Sequence, residues 1–269
     1  MALMKKNSCY LRQDLTQAWA DKPVFDVVAN IDGEIFRDKE GRRTLRFELN
    51  DRSYFLKYHQ GVGWAEIIKN LLQMRLPIIS ARNEWQAIHF LEKHGIETMT
   101  LAGYGEKGIN PATIRSFVIT DDLINTMSLE YVGEQWQQRP PSFATKQALI
   151  RKLANMAGTM HKNGMNHRDF YLCHFLLDER FAENNTFDDN TPVYLIDLHR
   201  ATIRHKTPKR WQIKDLGSLY FSASRVSLTK RDKLRFMQIY SGLPLRTLLK
   251  DQADLWREVE RRAQKLLAE

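Results

Sequence analysis

Cysteine is scarce in this chain: Cys9 and Cys173 are the only two thiols among 269 residues. Two cysteines in dissimilar settings exclude a disulfide scaffold and a thiolate metal cluster. Cys173, between Leu172 and His174, reads as a small buried hydrophobe. No stretch approaches the roughly 18 consecutive apolar residues of a membrane span, and the lysine-bearing N-terminus has no apolar core of signal-peptide length. Cytoplasm is therefore the expected location. Long linkers, internal repeats and low-complexity tracts are also missing, which leaves a chain able to bury the core of one large or two small domains.

Acidic residues are thin in one region. From Ile203 to Glu269 there are 16 Lys and Arg against 7 Asp and Glu, whereas the preceding residues balance 25 against 25. The whole formal excess of +9 thus lies in the final quarter, including His205-Lys206-Thr207-Pro208-Lys209-Arg210 and Thr229-Lys230-Arg231-Asp232-Lys233-Leu234-Arg235. Such a field would attract a phosphorylated glycolipid, an anionic membrane surface or an acidic carrier protein, although a solvated basic face carries the same signature. Leu245, Leu248, Leu249, Leu255, Trp256, Val259 and Leu266 make the C-terminal segments amphipathic, a pattern suited to packing on a core.

Two clusters carry the chemistry. His167-Arg168-Asp169 follows a helical stretch from Phe143 to Gly164 whose apolar face holds Leu149, Ile150, Leu153, Met156, Ala157 and Met160. Val193-Tyr194-Leu195-Ile196 is a buried-strand run that delivers Asp197. A carboxylate in a loop after a helix, then a second at the end of a strand, is the order in which protein-kinase-type enzymes place a base and a magnesium ligand. Transfer of a phosphoryl group needs charge neutralisation, a positioned metal and a held nucleophile, which one carboxylate cannot supply alone. In this order Asp169 serves the attacking hydroxyl and Asp197 the metal.

The upstream segments fit the same template. Thr44 to Leu49 alternates polar and apolar, Asn50-Asp51-Arg52-Ser53 is turn chemistry, and Tyr54 to Tyr58 alternates again, which predicts a β-hairpin whose second strand carries Lys57. Ser80 is placed to cap a helix through Glu84, Ile88 and Leu91 that stops at Gly95. Glu84 shares that helix face with apolar neighbours, an expensive direction for a carboxylate unless a cation meets it, and Lys57 is the expected cation. A phosphate loop should precede Thr44, but Gly33 to Arg43 lacks the Gly-x-Gly-x-x-Gly spacing, so Gly41 and Arg42 are the candidates there. Gly61-Val62-Gly63-Trp64 opens an inserted helix near 64–75, with Ile67, Ile68, Leu71 and Leu72 on one side. Arg115 to Thr120 is a buried-strand candidate. Asp121-Asp122 reads as a solvated turn.

The strings Gly61-Val62-Gly63-Trp64-Ala65-Glu66-Ile67-Ile68-Lys69-Asn70-Leu71-Leu72, His167 to Leu177, Ile196-Asp197-Leu198-His199-Arg200-Ala201 and Thr207-Pro208-Lys209-Arg210-Trp211 with Lys214-Asp215-Leu216 resemble the bacterial lipopolysaccharide core heptose(I) kinases. The resemblance runs from about Phe25 to the C-terminus. It implies an α+β, two-lobed, protein-kinase-like fold: one domain over 1–269, with a β-rich N-lobe over 1–120 and a mainly helical C-lobe over 121–269. It also implies ATP and Mg2+ as cofactors, and as acceptor the 4-hydroxyl of the first heptose of the lipopolysaccharide inner core. Carried over by position, the catalytic aspartate is Asp169, the metal-binding aspartate Asp197, and the ion pair Lys57 with Glu84.

Two departures stand out. His174 occupies the place where protein kinases carry a metal-binding Asn, which makes it a candidate for the nucleotide and metal site although imidazole is softer than magnesium prefers. Leu198-His199 replaces the usual Phe-Gly after the metal-binding Asp. Asp215 is expected to brace the catalytic loop or to cap a helix. The 18-residue interval from Asp197 to Asp215 leaves little room for a peptide-docking segment, which favours a glycolipid acceptor over a protein. The alternatives are a catalytically silent kinase-like binding module, a kinase for another sugar or protein hydroxyl, and, from the basic tail alone, a nucleic-acid binder; no nucleic acid is expected.

Overall fold

Apolar–polar alternation builds the first half of the chain. The computed structural model describes residues 7–39, 41–73, 77–184 and 186–269. It divides into two units, Met1–His89 with Met99–Leu123, and Phe90–Thr98 with Ile124–Glu269. The first contains β1 (Asn7–Leu11), α1 (Gln13–Ala18), α2 (Val24–Asn30), β2 (Glu34–Lys39), β3 (Arg42–Leu49), β4 (Arg52–His59), α3 (Gly63–Leu72), most of α4 (Arg82–Lys93), β5 (Leu101–Lys107) and β6 (Arg115–Asp121). Its strands form one antiparallel sheet in the order β1-β5-β6-β4-β3-β2.

The predicted hairpin is β3–β4, closed by Asn50 and Asp51 at φ 50° and 60°. Both values belong to the tight turn whose twist matches that of the strands. Leu45 and Phe47 on β3, with Tyr54, Leu56 and Tyr58 on β4, meet Leu15, Trp19 and Val28 of the N-terminal helices in the core. Period-two alternation then puts Lys57 on the other face. Predicted strand 115–120 is β6, hydrogen-bonded between β4 and β5 and buried through its centre. Asp121 and Asp122 are more than solvated turn residues: Arg12 donates to both oxygens of Asp121 at 2.7 Å, and Ser53 Oγ donates to Asp122 at 2.8 Å.

Helix α3 ends its described span at Leu72, and residues 74 and 75 of the expected helix lie outside the described residues. Only Ile67 of its apolar side is buried; Trp64, Ile68, Leu71 and Leu72 are exposed.

The second unit contains β7 (Thr126–Ser128), α5 (Leu129–Gln138), α6 (Phe143–Lys162), β8 (Met165–Asn166), β9 (Phe175–Asp178), α7 (Glu179–Asn184), β10 (Val193–Leu195), β11 (Thr202–Ile203), α8 (Lys209–Ser222), α9 (Lys230–Ser241), α10 (Leu245–Asp251) and α11 (Ala253–Ala268). The boundary differs from the expected 120/121. Segment 90–98 groups with the helical unit because Leu195 donates its N–H to Glu97 O at 2.9 Å, Thr98 Oγ1 donates to Leu195 O at 2.6 Å, and Lys152 pairs with Glu97 at 2.6 Å.

Helix α6 begins at the Ser142 cap, whose Oγ accepts from Thr145 N–H, and its apolar stripe is buried as expected. Helix α9 packs along it. Gly158 permits the approach, since a Cβ there would stand 2.7 Å from Tyr240 O. In α11, Leu255, Val259 and Ala263 recur every four residues and are buried, so this amphipathic face does pack on protein. No helix among the described residues is long and apolar enough to cross a membrane.

Asp232 fastens α9 to α6. It closes a capping box with Thr229, pairs with Lys146 at 3.0 Å and accepts from Gln147 at 2.8 Å. Burial works against its charge, but hydrogen bonds from Thr229, Lys146 and Gln147 hold the carboxyl down to about 2. Asp232→Ala should lower unfolding free energy by about 3 kcal/mol in urea titrations. Because the folded-state value lies below the unfolded one, the wild-type advantage should be complete above about pH 4 and fade as pH falls toward 2.

Candidate active site

Within the first unit, Lys57 on β4 and Glu84 on α4 meet as the sequence anticipated. Lys57 Nζ donates to Glu84 Oε1 at 2.7 Å, and Glu84 is only 2% exposed. A carboxylate so buried has little water to stabilise its charge, so the lysine is its principal source of compensation here. Ser80 Oγ accepts from Arg82 N–H at 3.0 Å at the start of α4, and Gly95, at φ 67°, follows its end. Ile88 and Leu91 are fully buried, so the helix face chosen for Glu84 is the one expected.

Gly41, just before β3, is tied to the chain that follows β4. Gln60 donates its N–H to Gly41 O at 2.8 Å, and a Cβ on Gly41 would stand 2.3 Å from Gly61 O, which explains a glycine at this left-handed position. Arg42 donates to Ile78 O at 2.8 Å. The spacing missing from 33–43 occurs elsewhere, at Gly103, Gly105 and Gly108, but the first two lie inside β5 where Cβ atoms would strike Leu11 and Phe117. Those glycines serve strand packing, not a phosphate loop.

The second unit assembles the other predicted residues. β8 pairs with β11, and the chain between β8 and β9 carries His167, Arg168, Asp169 and His174. Gly164, at φ 94°, begins this passage; a Cβ there would overlap Arg204 O at 1.9 Å. Asp215, inside α8 and completely buried, accepts from the backbone N–H of His167 at 2.7 Å and of Arg168 at 2.8 Å. It is thus the loop brace of the two expected roles, not a helix cap. His161 Nε2 lies 3.2 Å from the same carboxylate, and its Nδ1 lies 2.9 Å from Tyr240 Oη. Burial, aided by Asp215, pushes the Tyr240 phenol up, keeping it neutral.

His167 is fully buried, and its Nε2 lies 2.9 Å from Ile196 O. A carbonyl only accepts, so Nε2 carries the proton and Nδ1 can receive Asp169 N–H at 3.3 Å. Burial drives this imidazole's pKa down in spite of Asp215, which suits a neutral ring joining the two predicted strings.

The Asp169 carboxylate is held by Arg200, whose Nη1 donates to its two oxygens at 2.8 and 3.2 Å. Sequence reasoning missed Arg200 as a site residue; its position three residues after Asp197 was the available signal. Asp197 follows β10 in the left-handed region at φ 59°, with His199 Nδ1 at 2.6 Å from its Oδ1. His174 Nδ1 donates to Asp169 O at 2.6 Å, and its Nε2 lies 3.6 Å from Asp197 Oδ2. Asp169, His174 and Asp197 are therefore neighbours. Cys173 is half-buried, less than expected.

The donor set suits a hard cation with an incomplete protein shell. Among the described residues no three His, Cys, Asp or Glu side chains gather to hold a metal. Magnesium is commonly bound through one or two carboxylates plus phosphates and water, which is compatible with Asp197. His174 donates its Nδ1 proton to Asp169 O, which leaves its Nε2 turned toward Asp197 Oδ2 at 3.6 Å.

The brace can be tested without substrate. Asp215→Ala should raise hydrogen-exchange rates of the His167 and Arg168 amides by at least about ten-fold, since each loses a charged acceptor. Unchanged exchange in the folded variant would show that the loop holds itself.

Comparison with known proteins identifies the family. Residues 26–240 match the model of the lipopolysaccharide kinase (Kdo/WaaP) family. The chain is 47% identical over 256 residues to the lipopolysaccharide core heptose(I) kinase WaaP of Pseudomonas aeruginosa, covering 95% of this chain and 94% of that protein. It is 49% identical over 245 residues to the protein of the same name from Escherichia coli K12, covering 91% of each. A solved structure described as WaaP in complex with acyl carrier protein superposes with a TM-score of 0.82 at 42% identity, covering 96% of this chain and 99% of that one. With an α+β fold and similarity of this extent, the chain belongs to the lipopolysaccharide kinase (Kdo/WaaP) family.

Proposed function

We propose that the chain is an ATP-dependent kinase that phosphorylates the first heptose of the lipopolysaccharide inner core, at its 4-hydroxyl. The observation that carries this reading is similarity over more than nine-tenths of the chain to heptose(I) kinases. Asp169 orients the acceptor hydroxyl and takes its proton as the oxygen attacks the γ-phosphorus and the bond to the departing ADP oxygen breaks. Arg200 fixes the Asp169 carboxylate in one orientation, and Asp215 fixes the backbone that carries it. Lys57, held by Glu84, serves the phosphates of the nucleotide, while Gly41 and Arg42 form the turn nearest in chain order to a phosphate loop. Asp197, with His174 beside it, would hold magnesium, which when bound neutralises phosphate charge.

A partner of the carrier-protein type fits the second unit. A solved relative is described in complex with acyl carrier protein. This chain's helices enclose an apolar cavity of about 400 Å³ lined by Leu149, Leu153, Leu219, Phe236, Trp256 and Val259 among others. An acyl chain is the apolar cargo such a cavity suits, and the basic final quarter suits an acidic carrier. The same charge favours peripheral attachment to an anionic membrane on its cytoplasmic face.

Incubation with labelled ATP and core glycolipid lacking inner phosphate, followed by mass spectrometry and NMR, should locate one new phosphate on the first heptose. Label on another sugar would overturn the acceptor assignment. Asp169→Ala should reduce kcat by about 10² to 10⁴ while nucleotide affinity is retained. Asp197→Ala should instead abolish the magnesium dependence of nucleotide binding, measured by calorimetry. An acyl-loaded carrier should bind about ten-fold or more tightly than the unloaded one; equal affinity would dissociate the cavity from the carrier.

A further inference from the structure

One indole gathers four cations. The guanidinium carbons of Arg168, Arg210 and Arg204 lie 4.7, 5.3 and 5.9 Å from the Trp211 ring centroid, and Lys214 Nζ lies 5.6 Å from it. Exposed cations seldom crowd one ring, because their mutual repulsion offsets the attraction of each for the π face. None of the four is in an ion pair with a carboxylate among the described residues. The two nearby acids are committed: Asp169 to Arg200, and Asp215 to His161 and the loop amides. Among the described residues the Arg204 guanidinium donates to a neutral partner, Asn166 Oδ1, at 2.5 Å.

Unused donors point the same way. Arg168 Nε and Trp211 Nε1 are buried and have no hydrogen-bond partner among the described residues. Helix α8 starts at Lys209 without a side-chain cap and without an acid in its first turn, so its positive end adds to the field of Lys209 and Arg210. Desolvation and then neighbouring positive charge push the pKa values of Arg168, Lys214 and Arg204 down, as expected for cations lacking their anion. Arg168 adjoins Asp169 in the chain, and Lys214 senses both Asp169 and Arg200. The cluster therefore stands beside the residue proposed to receive the acceptor's proton.

We propose that Arg168, Arg204, Arg210 and Lys214 around Trp211 form an anion subsite that grips a carboxylate or phosphate group of the glycolipid acceptor and so selects the hydroxyl presented to Asp169. The inference rests on the acceptor reading above. Charged, partly desolvated donors give orientation as well as affinity, and a planar guanidinium fits either oxyanion through paired N–H groups. The role is one of positioning and specificity.

The test combines kinetics with direct binding. Arg210→Gln, Lys214→Gln and the double variant, each checked for folding by circular dichroism, should raise KM for core glycolipid by about ten-fold or more for the pair. KM for ATP should stay unchanged. Binding of phosphate-free inner-core oligosaccharide to wild-type protein bearing 5-fluorotryptophan should shift the Trp211 resonance, identified by its loss in Trp211→Phe. Loss of that shift after reduction of the sugar carboxylates to alcohols identifies a carboxylate ligand. A KM increase on removal of the lipid phosphates identifies a phosphate ligand. Unchanged acceptor KM in the folded double variant, or a change in ATP KM alone, would overturn the subsite. Wild-type protein whose Trp211 responds to the oligosaccharide but which transfers no phosphate would overturn the proposed function and leave the subsite standing. Protein that transfers no phosphate and whose Trp211 responds neither to the oligosaccharide nor to the phosphorylated glycolipid would overturn both.

Discussion

The buried carboxylate of Asp215 is the constraint on which the candidate site depends. It receives two backbone N–H groups, from His167 and Arg168, in a loop whose Arg168 adopts φ of 80°. A non-glycine residue in that conformation is disfavoured, and the loop keeps it because the acceptor satisfies donors that water cannot reach. Removal of the carboxylate would leave those amides buried without a partner. The brace is itself supported: His161 contacts Asp215, Tyr240 contacts His161, and Gly158 admits the backbone of Tyr240 against α6. A chain of packing thus runs from the α6–α9 contact to the backbone of Asp169.

A second layer of order comes from the histidines. His167 joins Ile196 to Asp169 through its two ring nitrogens, and His174 donates to the Asp169 carbonyl while its Nε2 stands 3.6 Å from the Asp197 carboxylate. Each imidazole spans two chain segments that are far apart in sequence. A buried ring with both nitrogens engaged has one tautomer and one orientation, and so carries positional information between the segments. Asp197, whose backbone is left-handed, also carries His199 Nδ1 against its own carboxylate.

Charge is arranged around this network with less compensation than elsewhere in the second unit. Arg200 neutralises Asp169, whereas among the described residues the cations around Trp211 find no carboxylate of their own. Asp232 and Glu97 show the ordinary alternative, in which a buried or half-buried acid meets a lysine or arginine directly. The contrast separates charge that holds α9 and the 90–98 segment in place from charge left over for an anionic ligand. The cavity among the helices is a separate feature, lined mainly by apolar side chains although Lys146, Asp232, Lys233, Arg257 and Glu260 also border it, and belongs to a different kind of contact.

Local rules made much of this legible in the sequence. Alternation placed Lys57 on the face opposite Leu56 and Tyr58, Ser142 and Ser80 marked helix starts, and the apolar run before Asp197 marked β10. Helical spacing put Glu84 beside Ile88 and Leu91, and the demand for a buried counter-charge named its lysine. Each of these rests on neighbours within a few residues or on the need to neutralise one buried charge. What only the tertiary structure decided involves partners distant in the chain: Arg200 on Asp169, Asp215 as brace and not cap, Arg12 on Asp121, and the gathering of Arg168, Arg204, Arg210 and Lys214 about Trp211. The exposure of Ile68, Leu71 and Leu72 on α3 belongs there as well. Periodicity shows that a helix has an apolar face; whether another surface covers that face depends on how distant segments pack, which no local pattern contains.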